Sequence, residues 1–190
     1  LEEIAPAKGR LPDLDEYTRT RWMAEAKFLK AYYHFCLFRM YGPIPIVDTN
    51  LAIDEETSVV RVKRNKVEEV VKYIAGLLDE CAPELPLEIT SMGTEAGRVY
   101  RGVAYMLKAK LLVTAASPLF NGNTDYADFK DSDGLPFFPQ EFSAQKWQDA
   151  VDACELALEN LPNAALYTFP ATGAKVTAKT QYKMNYRGAV

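Results

Sequence analysis

Apolar residues return along this chain at helical rather than strand spacing. Between about residues 15 and 40, Phe28, Tyr32 and Phe35 follow i, i+4, i+7, and Leu29, Tyr33, Cys36 and Met40 form a second row beside them. A stripe of that width predicts a helix covered on more than one side. Gly42, Pro43 and Pro45 end it, because proline lacks an amide proton and pushes its predecessor out of helical space. The segment 41–47 is therefore predicted to be extended. A second helix, about 65–82, carries Val67, Val70, Val71, Ile74, Leu77, Leu78 and Cys81 in register until Pro83 and Pro86, with Asn65 as its expected N-cap and Glu68 in capping-box spacing. A third, about 98–116, steps through Val103, Met106, Leu107, Lys110 and Leu111 and closes at Ser117-Pro118. In a fourth, about 143–160, Trp147, Val151, Cys154, Leu158 and Leu161 recur at i, i+4, i+7, i+11 and i+14.

Between the third and fourth helices, residues 117–142 are rich in Asn, Asp, Gly and Pro, which favours turns, and so long a loop is often functional. Beyond residue 163 no period is clear. Thr, Tyr, Val and Phe there are compatible with one or two short strands, and the end at Arg187-Gly188-Ala189-Val190 reads as cut, with no closing element.

The helices repeat. Ala26-Lys27-Phe28-Leu29-Lys30-Ala31 aligns with Ala104-Tyr105-Met106-Leu107-Lys108-Ala109 at an offset of 104 − 26 = 78, and Leu85-Pro86 aligns with Leu161-Pro162 at 161 − 85 = 76. Two related helical hairpins bury their apolar faces by stacking, as tetratricopeptide solenoids do. The spacing exceeds the roughly 34 residues of a plain tetratricopeptide repeat, so long loops must be inserted. The expectation is one all-α region over 1–190, with tetratricopeptide-like hairpins and little or no strand.

Composition narrows the functions. The chain is 48% hydrophobic and 25% charged, with a formal net charge of −4 and no continuous basic stripe, which argues against a nucleic-acid partner. Every apolar run is interrupted well before the roughly 20 residues that span a bilayer. The N-terminus shows no signal-peptide pattern. Cys36, Cys81 and Cys154 lie far apart without a CxxC pair, so they read as small core hydrophobes rather than a metal site.

Catalytic chemistry finds little support. The carboxylate groups Asp13/Asp15, Asp54/Glu55/Glu56 and Asp131/Asp133 fall in polar, solvated segments. His34 is the sole histidine, sits mid-helix, and reads as structural. Ser117 lacks the setting of a nucleophile elbow, and the glycines form no phosphate-cradling loop. No catalytic residue, cofactor or metal is therefore assigned. Aromatics, at 12%, are more informative, since sugar rings stack on aromatic faces while their hydroxyls need planar polar partners. In the 117–142 loop, Asn121, Asn123, Asp125 and Tyr126 are the candidate glycan contacts, whereas Phe120, Phe129, Phe137 and Phe138 read mostly as pins of the loop to its own core. Trp22 and Trp147, on helices, read as core.

Two stretches carry a family resemblance. Glu25-Ala26-Lys27-Phe28-Leu29-Lys30-Ala31-Tyr32-Tyr33, followed by Arg39-Met40-Tyr41-Gly42-Pro43-Ile44-Pro45-Ile46-Val47, resembles a hallmark segment of the SusD/RagB nutrient-binding outer-membrane lipoproteins. Gly97-Arg98, the run Ala115–Asn123 and Trp147-Gln148-Asp149-Ala150 resemble later hallmarks in the same order. The resemblance covers about residues 20–160. It implies a glycan-binding scaffold at the cell surface, held by a lipidated N-terminal cysteine that this chain lacks, and a SusC-type TonB-dependent transporter as partner. Members are much longer than this chain, and their sugar-contacting aromatics do not transfer by motif. Without the resemblance, the helical repeats would equally suit an adaptor that binds only protein.

Overall fold

The computed structural model describes residues 14–161, 165, 168–170 and 176–189. It contains α1 (Glu16–Tyr41), the single turn α2 (Thr57–Val60), α3 (Val67–Cys81), the short α4 (Met92–Glu95), α5 (Arg101–Ala116), α6 (Gln145–Glu159) and α7 (Ala178–Ala189). Among the described residues the only β feature is an isolated antiparallel bridge between Lys130 and Pro136. The all-α architecture thus matches the helical period of the sequence.

The chain divides into two compact units, residues 1–160 and 161–190. In the first, α1 packs on α3, α3 on α5, and α5 most extensively on α6. The two hairpins are α1/α3 and α5/α6. Their repeat shows in burial, since Ala31 and Ala109 are both buried at the offset of 78, and Ile74/Ala150 and Cys81/Ala157 at the offset of 76. The first hairpin holds the larger core: Phe28, Phe35, Phe38, Ile74 and Leu78 pack together with Ile44 and Leu111. The second is closed almost wholly by alanine, with Ala153 and Ala157 of α6 against Ala109 of α5.

Helix ends are set by specific partners. Asp15 Oδ1 accepts from Thr18 N at 2.9 Å and caps α1. Gly42, at φ 69°, ends α1 by donating its N–H to Phe38 O at 2.8 Å, a left-handed turn suited to glycine. Asn65, expected to cap the second helix, does something else. Its Oδ1 accepts from Ile46 N (3.0 Å) and its N–H donates to Ile44 O (2.9 Å), so it anchors the extended segment after Pro43. α3 begins one register later, and Glu69 rather than Glu68 accepts the N–H of Lys66. α5 starts at Arg101 rather than residue 98, because Gly97 lies at φ 85° and the Arg101 N–H is held by Pro86 O.

The tryptophan assignments are corrected. Trp22, on α1, is 38% exposed, and Trp147 is 43% exposed because α6 docks through its alanines and turns Trp147, Val151 and Leu158 outward. Of the three free thiols only Cys81 is fully buried, while Cys36 and Cys154 are half-buried.

In the second unit, α7 replaces the strand expected near the C-terminus. Ala178, Lys179, Gln181, Lys183, Met184 and Arg187 are good helix formers, and Thr177 Oγ1 accepts from Thr180 N at its start. Gln181 Nε2 donates to Phe169 O (2.8 Å), and Phe169 N donates to Asn185 Oδ1 (2.7 Å). The remainder of the expected strand region lies outside the described residues.

Candidate functional site

The 117–144 connection is built from its aromatics. Phe120, Phe137 and Phe138 are buried and extend the core of the first hairpin, with Phe120 4.6 Å from Phe38 and 5.8 Å from Phe138 between ring centres. Phe137 O accepts the N–H of Val67 at 3.0 Å, so the loop caps the start of α3. The expectation that these rings pin the loop is met for Phe120, Phe137 and Phe138, whereas Phe129 stays exposed beside Phe137.

The four candidate contacts separate into two pairs. Asn121 is buried: its Oδ1 accepts from Ser143 N (2.8 Å) and its Nδ2 donates to Ser143 O (2.9 Å), with Ala116 O at 3.4 Å. Asn123 Nδ2 donates to Leu119 O (3.2 Å), and its Oδ1 accepts from Asp125 N (3.0 Å), opening a turn of 3-10 helix over Thr124–Tyr126. Both amides are thereby engaged by backbone. Asp125 and Tyr126 remain outward. Tyr126 is 43% exposed, its ring stacks on Phe138 at 4.7 Å and 19°, and neither its hydroxyl nor the Asp125 carboxylate is hydrogen-bonded among the described residues.

A polar cleft beside α1, lined in part by the Glu25–Tyr33 stretch, has a volume of about 380 Å³. Tyr33, exposed, and the buried His34 line it with Lys30, Asp48 and Asn50. Lys30 Nζ donates to Asp48 Oδ1 (2.8 Å) and Asp48 O (2.7 Å), and the Tyr73 hydroxyl donates to the same carboxylate oxygen at 3.0 Å. These hydrogen bonds, that of Lys30 foremost, hold the Asp48 carboxyl below the usual aspartate range. His34 is structural here. Its Nδ1–H donates to Lys30 O (2.8 Å), which leaves Nε2 to accept from Val47 N (3.4 Å) and tie the extended segment to α1. The signal available in sequence was the i, i+3, i+4 grouping of Lys30, Tyr33 and His34 on one helix.

The remaining motif residues have architectural roles. Arg98 forks onto Glu25, Nε to Oε1 at 3.0 Å and Nη2 to Oε2 at 2.9 Å, joining the Gly97-Arg98 stretch to the Glu25–Tyr33 stretch. Arg21 donates to Glu95 at 2.6 Å and to Glu25 at 3.2 Å. Asp131 Oδ1 accepts from Asp133 N and Leu135 N, closing the turn under the bridge. Asp54, Glu55 and Glu56 are exposed, and Asp13 lies outside the described residues. Ser117 Oγ donates to Thr114 O (2.6 Å) at the end of α5. Among the described residues no three His, Cys, Asp or Glu side chains are grouped to hold a metal, and no helix is long and apolar enough to cross a membrane.

The fold and these stretches can be set beside known proteins. No curated protein matches the chain at a significant level. The solved protein BT4246 superposes on 90% of the chain with a TM-score of 0.75 and 32% identity, the matched part being 31% of BT4246. A SusD-like carbohydrate binding protein from Bacteroides fragilis NCTC 9343 matches 81% of the chain and 24% of itself, at TM-score 0.57 and 18% identity. A structure solved with a xylogluco-oligosaccharide matches 82% of the chain and 27% of itself, at TM-score 0.55 and 17% identity. The last two are alike in fold alone. The chain spans less than a third of the length of these relatives. The model of the SusD-like family described as starch-binding and associating with the outer membrane matches residues 1–111, more than half of the sequence, and the chain belongs to that family.

Proposed function

We propose that this chain is the helical scaffold of a surface protein that binds oligosaccharide or polysaccharide without cleaving it, at the outer membrane, and passes it to a SusC-type TonB-dependent transporter. Family membership supports the glycan as ligand and the outer membrane as its place. A relative of the same fold solved with a xylogluco-oligosaccharide adds to that support. Attachment through a lipidated cysteine outside these residues belongs to the same proposal.

One observation carries the proposal on this chain. Tyr126 presents a half-exposed ring braced from behind by Phe138, next to the outward Asp125 carboxylate. A rigid aromatic face costs little entropy to bind a sugar ring, and the carboxylate accepts hydroxyl protons. In this reading Asn121 and Asn123 shape the loop, while Tyr126 and Asp125 make contact. The cleft at Tyr33 and Asp48 favours a second place on the same grounds, being concave, with an exposed ring beside a fixed carboxylate.

A glycan array on the full-length protein tests the function and names the polysaccharide class. Retention of one class of linkage, with no release of shorter products on incubation, is the expected result. Hydrolysis of the retained glycan would overturn the binding-only reading, and the absence of any retained glycan would favour an adaptor that binds only protein.

A further inference from the structure

Phe129 is 39% exposed, with its ring centre 4.9 Å from that of Phe137 and 6.4 Å from that of Phe138, so it leans on the same buried ring that braces Tyr126. Its backbone is fixed on both sides: Phe129 N donates to Tyr126 O and Phe129 O accepts from Phe137 N, each at 3.0 Å. The Arg64 guanidinium lies 5.8 Å from the centre of the Phe129 ring. The backbone next to Arg64 is fixed too, because Asn65 ties to Ile44 and Ile46 and the Lys66 N–H donates to Glu69. Two planar groups, one aromatic and one cationic, are thus held side by side one turn of chain away from Tyr126.

The charges along this row are uneven. Asp125 stands beside Tyr126, whereas Lys63, Arg64 and Lys130 gather at Phe129 and are all exposed. Lys63 Nζ donates to Ser132 Oγ at 3.0 Å, and Arg64 has no carboxylate partner among the described residues. Asp131 is engaged by Asp133 N and Leu135 N, with Lys66 Nζ 3.9 Å away, and the exposed acids Asp128 and Asp133 are outnumbered by the three cations. We propose that Arg64 and Phe129 form a subsite for an acidic sugar adjoining the Tyr126 position, so that the glycan bound here carries uronate next to neutral units. The proposal rests on the glycan-binding reading above and names the class of glycan. A carboxylate matches the guanidinium fork with two parallel hydrogen bonds, which a single hydroxyl cannot do. Stacking on Phe129 orients the fork while its N–H donors stay available. Asp125 sets the order of units, since it accepts from hydroxyls and repels an acid group at Tyr126.

The test is calorimetric titration of the full-length protein with oligosaccharides of rhamnogalacturonan, glucuronoxylan and hyaluronan, each paired with its carboxyl-reduced form. At least one acidic member should bind about 3- to 10-fold more tightly than its reduced partner, the difference narrowing as salt is raised. Arg64→Gln should bring the two forms to equal affinity with the urea midpoint unchanged, and Arg64→Lys should restore only part of the difference. Equal binding of acidic and reduced forms by the native protein, or a preference that persists in Arg64→Gln, would overturn the acidic subsite while glycan binding itself stands. Retention of neutral glycans alone would do the same. Loss of adhesion to anionic lipid vesicles in Arg64→Gln, with the acid preference unchanged, would overturn it and assign the cations to the membrane surface. Binding of no glycan of any kind, acidic or neutral, would remove the underlying reading and the subsite together.

Discussion

Asn121 and Ser143 are joined by a two-point clamp, in which one side-chain amide both accepts from and donates to the backbone of a residue 22 positions away. The clamp closes the loop onto itself just ahead of α6, and it explains why α6 begins at Gln145 instead of Ser143. It also engages both polar atoms of the buried Asn121 side chain with backbone. Replacement by alanine leaves buried backbone groups without partners, and Asn121→Ala should cost about 2 kcal/mol of stability. Chemical denaturation measures the loss. A change of less than about 0.5 kcal/mol, the range of ordinary surface substitutions, would show that the clamp is not needed.

Gly122, beside it, is held by a different constraint. A Cβ here would stand 2.7 Å from Phe142 N, at a backbone φ of 76°. Backbone cannot give way as a flexible side chain can, so Gly122→Ala should destabilise by more than about 1 kcal/mol, opposite in sign to the same exchange in a helix interior, where alanine is favoured by roughly 0.5–1 kcal/mol. The urea midpoint of that variant, compared with the exchange of the unconfined Gly76 for alanine, separates crowding from simple loss of glycine.

The Glu25–Arg98 fork links α1 to the turn before α5, and Glu25 is mostly buried there. Hydrogen bonds to charged partners contribute roughly 1.5–3 kcal/mol, so Arg98→Ala should cost about 2 kcal/mol. Arg98→Lys should recover only part of it, because a lysine cannot make the bidentate pair. Equal stability of the lysine variant and the native chain would show that only the charge matters.

Acid should destabilise the protein through three aspartates. Thr18 at the α1 cap, Lys30 at the cleft, and the Leu135 N–H at the bridge turn each hold their partner, Asp15, Asp48 and Asp131, below the ordinary aspartate value. A carboxyl depressed in the folded state contributes stability that is present above its unfolded value and is lost as pH falls through the folded one. Stability should therefore fall on acidification below about pH 4, and the fall should be shallower in Asp48→Asn. Asp15 and Asp48 are exposed and Asp131 is half-buried, so solvent screening keeps the contributions of the first two small. In the alkaline direction, burial pushes the Cys81 thiol up to about 11, and native protein at pH 8 should leave Cys81 unlabelled by a thiol reagent while Cys36 is modified.

The helices were legible because period and punctuation agree. Phe28, Phe35 and Phe38 face inward as the 3.6 spacing requires, and Gly42-Pro43 stops α1 where the pattern stops. The fourth helix shows the limit of that reading. Trp147, Val151 and Leu158 have the spacing of a core stripe, yet α6 docks through Ala150, Ala153 and Ala157. Periodicity reports that a face is apolar and is silent on which neighbour covers it. The candidate site was half legible for a related reason. An Asn/Asp-rich loop signals available amides, but whether backbone takes them depends on contacts such as Asn121 with Ser143, far apart in sequence. The cleft at Lys30, Tyr33 and Asp48 depends likewise on the extended segment folding back along α1, which composition does not disclose.

The most direct test of the account is calorimetric titration of the full-length protein with the oligosaccharide its array selects, comparing Tyr126→Ala, Tyr33→Ala and the native sequence. Loss of one aromatic–sugar stack, of the order of the 0.5–1.5 kcal/mol of an aromatic pair, corresponds to roughly 2- to 12-fold weaker binding. The account predicts such a loss in Tyr126→Ala, with the urea midpoint little changed and any further loss in Tyr33→Ala reporting the cleft. Native affinity in both variants would contradict the assignment of sugar contact to this part of the protein.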